Sequence, residues 1–337
     1  MVPPGEFLGI VPSWVIVYLA TLVCFGVATA ILYIRMFRPI LSGRPSGRLD
    51  QLPRRILGSF PYIFGQKKVL QSTDMARDRA GVAHAIIFWG FLSFSLSYLI
   101  FIYGDSINNQ FSSSLLTGKG IKVFGAYLDI LSVSLLVVIL LAVLRRWVFT
   151  ANRLRFDLTQ KSEAAIILTL IALLMVTTIL AEAFYVAAAN THSHSFIGNV
   201  LGDWLETTGI TDSSATYIYE ASWWIHLAII LGFSVYIPIS KHVHLVGAPL
   251  AFVTRQLGAR GTLTTITDFE EAESFGASRM KDFNQKQLLD AFACAVCGRC
   301  TDVCPANLTG KMLSPMHIVQ GMRYHIADAT SAESEEE

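Results

Sequence analysis

Five long apolar runs alternate with polar segments along this chain of 337 residues. A helix that crosses roughly 30 Å of hydrocarbon needs about 20 mostly apolar residues. Runs of that length fall at about 12–35, 82–104, 122–144, 165–189 and 221–240. Each run is too long for a strand of a membrane barrel and lacks the alternation that such a strand needs. The pattern predicts an all-α membrane protein, with five transmembrane helices bundled within residues 1–245.

The composition agrees with a membrane protein. Hydrophobic residues make up 53% of the chain and charged residues 15%, whereas roughly a quarter of the residues in an average soluble domain are charged. The net charge of +1 averages a basic inner surface with an acidic tail. Nucleic-acid binding has no support, because no basic patch interleaves with aromatic residues outside the membrane flanks.

The charges between the runs predict an orientation. Segment 36–80 carries nine Lys and Arg residues, and five more follow the third run in segment 145–161, whereas segment 190–220 carries only acids. Positive loops stay in the cytoplasm, which predicts a multi-pass protein of the cytoplasmic membrane with its N-terminus outside and its C-terminus inside. No Lys or Arg precedes the first run, so we expect a permanent span rather than a cleaved signal.

The chain becomes polar after the fifth run. Residues 246–283 are rich in Gly, Thr, Ser and charge, and are predicted to be a linker arm. Residues 284–330 contain four cysteines and are predicted to be a small cytoplasmic module. Residues 331–337 are acidic and of low complexity, so we expect them to be disordered.

Residues 294–305 read C-A-V-C-G-R-C-T-D-V-C-P, which is the spacing of the bacterial ferredoxin run. Short spacers let thiolates converge on one cubane, and Gly298 allows a tight turn. Zinc is the competing metal, but it usually takes two C-x2-C pairs separated by a longer loop. The motif predicts a ferredoxin-like [4Fe-4S] module whose ligands are Cys294, Cys297, Cys300 and Cys304.

The number of clusters stays open. Two cubanes need eight thiolates, and the fifth cysteine, Cys24, lies inside the first apolar run. One alternative is a single cluster that takes all four thiolates in an unusual way. The other is a second cluster whose missing ligands come from another chain or from a C-terminal continuation.

Two histidines near the cytoplasmic face are candidate ligands of haem b. His84 begins the second run, and His244 lies just beyond the inner end of the fifth. His226 and His244 are 18 residues apart, about five whole turns, so they share one helix face about 27 Å apart. We expect His84 and His244 to hold one haem b, with His242 as fallback ligand or propionate partner. The alternative is that His84 and His244 meet lipid headgroups.

The outer half of the bundle holds costly ionisable side chains, namely His226, Asp129 on the third run and Glu182 on the fourth. One interpretation is a second haem on His226, partnered by His192 or His194. Another is a quinone site at which these three residues pass protons. A third is a buried ion pair that fixes helix packing.

The five-span layout and the 18-residue interval resemble the gamma, cytochrome b subunit of respiratory nitrate reductase. The resemblance implies two haems, each held by one histidine of the fifth helix and one of the second. His84 matches the inner second-helix ligand. The outer ligand would fall ten residues later, where this sequence has Phe94, which cannot bind iron.

The chain as a whole resembles the iron–sulfur oxidoreductases related to heterodisulfide reductase, including the membrane electron-transfer-flavoprotein dehydrogenase type. The resemblance rests on R-D-R-A-G-V-A-H-A-I-I-F-W-G-F (77–91), I-P-I-S-K-H-V-H (237–244) and C-G-R-C-T-D-V-C-P-A-N-L-T-G-K-M-L-S-P (297–315). It implies a relay in which the cluster and haem b pass electrons from a cytoplasmic donor, such as reduced electron-transfer flavoprotein, to menaquinone. Members usually continue into a second cysteine run and cysteine-rich domains.

Two other functions are compatible with the residues, and a third is disfavoured. A quinol-oxidising subunit that feeds a cytoplasmic reductase would use the same cofactors in the reverse direction. A haem-free membrane anchor would dock further iron–sulfur or flavoprotein subunits. A transporter with a proton path over Asp129 and Glu182 would need the broken helices or repeats that this sequence lacks.

Overall fold

The computed structural model describes residues 3–7, 10–71, 80–108, 110–149, 158–258, 276–277 and 279–332. Most of the predicted linker arm (259–275) and the end of the acidic tail (333–337) lie outside the described residues. The same holds for four basic residues that contribute to the predicted orientation, which are Arg77, Arg79, Arg153 and Arg155.

The described chain is largely helical, with one antiparallel pair of short strands, β1 (Glu6–Phe7) and β2 (Val11–Pro12). The helices follow in the order α1 (Ser13–Leu32), α2 (Arg38–Ser42), α3 (Leu52–Ile63), α4 (Lys67–Leu70), α5 (Ala80–Tyr98), α6 (Asp105–Ile107), α7 (Phe111–Leu115), α8 (Gly118–Val143), α9 (Leu158–Ala189), α10 (Phe196–Thr207), α11 (Asp212–Tyr236), α12 (His244–Val253), α13 (Gln285–Phe292), α14 (Arg299–Asp302), α15 (Pro305–Leu308) and α16 (Pro315–Ala332).

Five helical stretches are long and apolar enough to cross a membrane. They are Ser13–Ser42, Ala80–Ile107, Gly118–Val148, Lys161–Ala189 and Asp212–Ile239. By length and composition, these stretches confirm the five predicted spans. Three of them contain a turn of π-helix near their C-terminal ends, at Tyr33–Phe37, Leu99–Gly104 and Leu144–Val148.

The chain divides into two compact units, one formed by residues 1–25 and 76–234 and the other by residues 26–75 and 235–337. The first unit contains α5 to α11. Its core has two clusters, around Leu135 and Met175 and around Ala181 and Trp223. Phe94 is buried in the first of these clusters, so it is a packing residue.

The second unit is built around the helix that leads into the cysteines. Helix α13 presents Leu288, Leu289 and Phe292 to a core that also contains Met36 and Ile326. Asn284 caps α13 through reciprocal hydrogen bonds with Gln287, an arrangement that fixes the start of a helix. Met36 and Ile40, which precede α3 in the chain, thus pack in one core with residues of the C-terminal module.

Candidate functional site

The cysteine loop follows α13 and turns through two residues with left-handed backbone conformations. Gly298 has φ +76° and Val296 has φ +54°. The first confirms the tight turn predicted for Gly298. The second is unusual, because a β-branched side chain at positive φ is strained and is tolerated where the surroundings fix it. Val296 is buried, and its backbone N–H donates to the thiol sulfur of Cys294.

The four cysteines differ in exposure. Cys297 and Cys300 are exposed, whereas Cys294 and Cys304 are half-buried. Burial raises the pKa of the Cys294 thiol, and the neighbouring Cys297 and Cys300 act in the same direction. Three thiols of the motif therefore share one neighbourhood. Cys304 begins α15 at its N-cap, immediately before Pro305.

Two arginines lie within or beside the cysteine loop in the second unit. Arg299, inside the motif, donates from both terminal nitrogens to the backbone carbonyls of Lys68 and Val69, at 2.7 and 2.6 Å. Arg323, on α16, is 4% exposed, and its guanidinium lies 4.9 Å from the centre of the Tyr324 ring. The Nη1 atom of Arg323 has no hydrogen-bond partner among the described residues.

The charge of Arg323 acts on two predicted ligands at once. It lowers the pKa of Cys294, against the larger effect of burial, and it contributes to lowering the pKa of His244. A buried guanidinium with an unused donor is costly. An anionic group beside Cys294 would satisfy it, and a cluster held by thiolates carries such a charge.

Among the described residues, no three His, Cys, Asp or Glu side chains group closely enough to hold a single metal ion. In a cubane each thiolate binds a different iron, so the sulfurs stand further apart than the ligands of one ion and need not form such a group. The exposed and half-buried thiols of the loop, with Arg323 beside them, remain the candidate ligands of a cluster.

His244 is oriented by its own backbone. Its Nδ1 lies 2.8 Å from the carbonyl oxygen of Lys241, which can only accept, so Nδ1 carries the proton. Histidines that bind a metal usually donate their second ring nitrogen in this way. Burial lowers the pKa of His244, which favours the neutral imidazole that binds iron. The ring of His242 lies 5.5 Å from that of His244, centre to centre.

His84 lies in the first turns of α5, half-buried, in the first unit. His244 belongs to the second unit. The predicted haem b on this pair stays a prediction, and so does the fallback role of His242.

His244 begins α12, whereas α11, which carries His226, ends at Tyr236. The prediction that both histidines lie on one face of a continuous helix is therefore wrong, because Pro238 and the extended Ser240 interrupt the helix between them.

His226 is buried in the first unit, and both of its ring nitrogens are hydrogen-bonded. Nε2 lies 2.6 Å from the hydroxyl of Tyr98, and Nδ1 lies 2.7 Å from the hydroxyl of Thr177. Tyr98 is four residues after Phe94, on the same helix. The second helix therefore offers His226 a phenol one turn after Phe94, the position at which the nitrate reductase resemblance would place a histidine.

The two acids, Asp129 and Glu182, have hydrogen-bond partners at and just before the start of α10. Asp129 accepts from the hydroxyl of Ser195 at 2.8 Å and from the backbone N–H of Ile197 at 3.1 Å, so it stabilises the start of α10. The carboxylate of Glu182 accepts a hydrogen bond from the side chain of Ser193. His192 pairs with Asp203 at 3.1 Å, with both side chains largely exposed.

These bonds divide the predicted outer site into two groups. The hydrogen bonds of His226 go to Tyr98 and Thr177, whereas Asp129 and Glu182 share the segment before α10. Sequence reasoning missed Tyr98, Thr177, Arg299 and Arg323. Arg299 carried a signal, because a cation inside a ligand loop needs a partner, but its partners are backbone carbonyls about 230 residues earlier.

Five candidate membrane spans together with a ferredoxin-type cysteine loop are typical of membrane-bound iron–sulfur proteins. The chain is 31% identical over 320 residues to the probable iron-sulfur-binding oxidoreductase FadF of Bacillus subtilis (strain 168). The matched region covers 94% of this chain and 42% of that protein. It is 30% identical over 310 residues to the EtfAB:quinone oxidoreductase of Syntrophomonas wolfei subsp. wolfei, covering 86% of this chain and 41% of that protein.

A shorter similarity, 38% identity over 76 residues, links 22% of this chain to 11% of a probable membrane-anchored ferredoxin of Chromohalobacter salexigens. No family model and no solved structure matches the chain. The chain spans less than half the length of the two oxidoreductases. Over most of its length it is similar to iron–sulfur oxidoreductases, which confirms the predicted resemblance at that level.

Proposed function

We propose that this chain is the membrane electron-transfer part of a quinone-linked iron–sulfur oxidoreductase. Electrons would pass between a soluble donor on the cytoplasmic side and membrane quinone, through a [4Fe-4S] cluster and haem b. The observation that carries the proposal is the cysteine loop, in which three thiols share one neighbourhood with the buried Arg323, whose Nη1 has no hydrogen-bond partner among the described residues.

The loop residues have separate tasks in this proposal. Cys294, Cys297 and Cys300 hold the cluster, and Cys304 is either its fourth ligand or a ligand of a second cluster. Val296 directs its N–H at the Cys294 sulfur, and Arg323 places a positive charge beside the same thiolate. The cluster supplies one-electron transfer when bound, and its potential depends on net charge and hydrogen bonds to sulfur.

Haem b on His84 and His244 belongs to the same proposal. The hydrogen bond from His244 Nδ1 to the Lys241 carbonyl supports the His244 half, because it leaves the metal-binding electron pair on Nε2. His84 is proposed from its place at the start of α5 and from the nitrate reductase resemblance.

Quinone is proposed to bind near His226. The Tyr98–His226–Thr177 chain of hydrogen bonds can take or give a proton at the ring, which quinone reduction or quinol oxidation requires. A second haem on His226 would have to displace Tyr98 from Nε2. Asp129 and Glu182 accept hydrogen bonds from residues at and just before the start of α10, so we propose that Asp129 stabilises that helix start, with proton transfer as the alternative.

The donor is proposed from a relative. The Syntrophomonas protein is named for EtfAB and quinone, so reduced electron-transfer flavoprotein is the first donor to test. The proposed orientation has the C-terminus in the cytoplasm, where such a donor is found. The reverse flow, from quinol to a cytoplasmic acceptor, uses the same residues, and cofactor potentials decide the direction.

The test is a cofactor count on the purified chain: iron, acid-labile sulfide and haem per polypeptide, with reduced-minus-oxidised visible spectra. We expect at least four irons, four sulfides and one b-type haem. Replacing His84 by Ala should abolish that haem while iron and sulfide stay unchanged. Wild-type protein with a full cluster and no b-type absorption would favour the haem-free anchor, and unchanged haem in the His84→Ala protein would reject the ligand assignment.

A further inference from the structure

Helix α3, in the second unit, has three distinct faces. Arg55 and Ser59 are buried on one face. At 100° per residue, Arg54, Gly58 and Tyr62 lie on the next face, about 100°, 60° and 20° from Arg55 on the side away from Ser59. The remaining arc carries exposed apolar side chains, namely Leu52, Ile56, Leu57, Phe60 and Phe64, the last at the C-cap; their exposed fractions are 43%, 42%, 70%, 51% and 40%.

The buried face fixes how α3 is rotated. Arg55 donates to the carbonyl of Arg255 at 2.5 Å and pairs with Asp50 at 2.6 Å, and its side chain is 5% exposed. Since Arg55 is locked inside the unit, the apolar arc on the far side of the helix cannot turn inward. The first candidate span ends at Ser42 and α3 begins at Leu52, so α3 lies close to the membrane along the chain.

The face formed by Arg54, Gly58 and Tyr62 lines a cavity of about 870 Å³. Arg255 and Lys68 line it as well, so three cationic side chains converge there. Its floor is the stack of Tyr62 on Phe252, with ring centres 5.1 Å apart, and the Arg255 guanidinium lies 5.6 Å from the Tyr62 ring.

The positive charge of this cavity is uncompensated within the described residues. Its one acidic lining residue, Asp290, is paired with Lys286. The Arg54 guanidinium bonds the neutral side chain of Gln51, and that of Arg255 bonds the carbonyl of Phe252. None of the ion pairs among the described residues involves Arg54, Lys68 or Arg255. An anion is therefore the ligand that this cavity fits.

We propose that α3 lies on the membrane surface and that the basic cavity beside it binds the phosphate of an anionic phospholipid. Amphipathic helices bind membranes by burying an apolar arc among acyl chains, and flanking Lys and Arg attract anionic headgroups. Here the apolar arc adjoins the cationic cavity on the same helix. One phospholipid bound there would place its tails against the arc and its phosphate in the cavity. The inference rests on membrane insertion and on no cofactor of the proposed function.

The first test uses the full chain in a zwitterionic detergent, titrated with short-chain phosphatidylglycerol, short-chain phosphatidylcholine or inorganic phosphate. Binding is read by calorimetry. We expect phosphatidylglycerol to bind and phosphatidylcholine to bind at least about tenfold more weakly. The double variant Arg54→Gln, Lys68→Gln should lose about tenfold or more in affinity, since each cation near an anionic headgroup contributes about a factor of five.

The matched control is Lys281→Gln, Lys311→Gln. It removes the same charge from two exposed positions of the same unit that do not line the cavity, and it should bind like the wild type. Equal affinity of the cavity variant and the wild type would overturn the proposal. Inorganic phosphate that binds as tightly as phosphatidylglycerol would assign the cavity to a free anion instead. Cluster and haem content, measured on the same samples, show separately whether the proposed function holds.

The second test asks what covers the apolar arc. A photoreactive benzoyl-phenylalanine replaces Leu57 in protein reconstituted into vesicles that contain phosphatidylglycerol, and the same residue at Lys311 serves as control. Lipid adducts at position 57 and none at position 311 support the proposal. Adducts of position 57 with polypeptide would overturn it in favour of a protein partner.

Discussion

The hydroxyl of Tyr98 lies 2.6 Å from Nε2 of His226. Nε2 is the ring nitrogen that would face a haem iron if His226 were a ligand, and the phenol occupies it. This pair favours a proton-carrying histidine at the outer site over a second haem. The Tyr98 hydroxyl is also a proton donor for the proposed quinone reaction, and replacing Tyr98 by Phe removes it by deleting one oxygen atom.

Replacing Tyr98 by Phe should slow quinone reduction about tenfold and leave the haem count unchanged. The hydrogen bond from the phenol would stabilise the ring as the proton moves in the transition state, and a barrier raised by about 1.4 kcal/mol corresponds to a tenfold slower rate. The measurement is the rate of quinone-analogue reduction by the chemically reduced protein. Ser93→Ala, which removes another hydroxyl from the same helix, is the control. One additional haem per chain in the Tyr98→Phe protein would instead show that His226 is a haem ligand held back by the phenol.

Substitutions of Asp129 can distinguish a role in proton transfer from a role in stabilising the start of α10. Its carboxylate accepts from Ser195 and Ile197 at the start of α10, and a lost acceptor at such a position costs about 0.5–2 kcal/mol. Asp129→Ala should lower the melting temperature of the protein. Asp129→Asn keeps an acceptor oxygen but carries no proton, so it should restore most of that stability.

The activity of Asp129→Asn then separates the two roles. If the residue only holds α10, the Asn variant should reduce quinone at nearly the wild-type rate. If it carries protons, the Asn variant should be stable and slow. Since both bonds of Asp129 go to α10, we expect the first result.

The membrane spans and the cysteine loop could be predicted because each depends on a local pattern. Apolar runs of fixed length identify spans, and the spacing of Cys294 to Cys304 identifies a cluster loop. The bonds of Arg299 to Lys68 and of Tyr98 to His226 could not be predicted. They join residues more than 100 positions apart, and such pairings depend on how distant segments pack rather than on any local pattern.

Arg323 should raise the reduction potential of the cluster. A positive charge beside Cys294 favours the reduced, more negative state of the cluster, so Arg323→Gln should shift the potential to more negative values. A loss of about 1.4 kcal/mol of differential interaction corresponds to about 59 mV for a one-electron couple. The measurement is a redox titration followed by electron paramagnetic resonance.

Arg323→Lys is the matched variant, because it keeps the charge and loses the planar guanidinium. Its potential should stay nearer that of the wild type than the potential of Arg323→Gln does. Equal potentials in all three proteins, with full cluster content, would show that the charge of Arg323 does not act on the cluster.

The close approach of α12 to the cysteine loop depends on Gly247. A Cβ atom at this position would lie 2.5 Å from the backbone carbonyl oxygen of Phe292 and 3.0 Å from the nitrogen of Ala293, immediately before Cys294. Gly247→Ala must therefore push α12 away from the loop, and we expect it to destabilise the second unit by about 1–3 kcal/mol. Faster loss of iron to a chelator on warming would report this change. Gly321→Ala on α16 is the control, because a Cβ there meets nothing within 4 Å and Ala favours helix. If both variants retained iron equally, the packing of α12 against the loop would be looser than described.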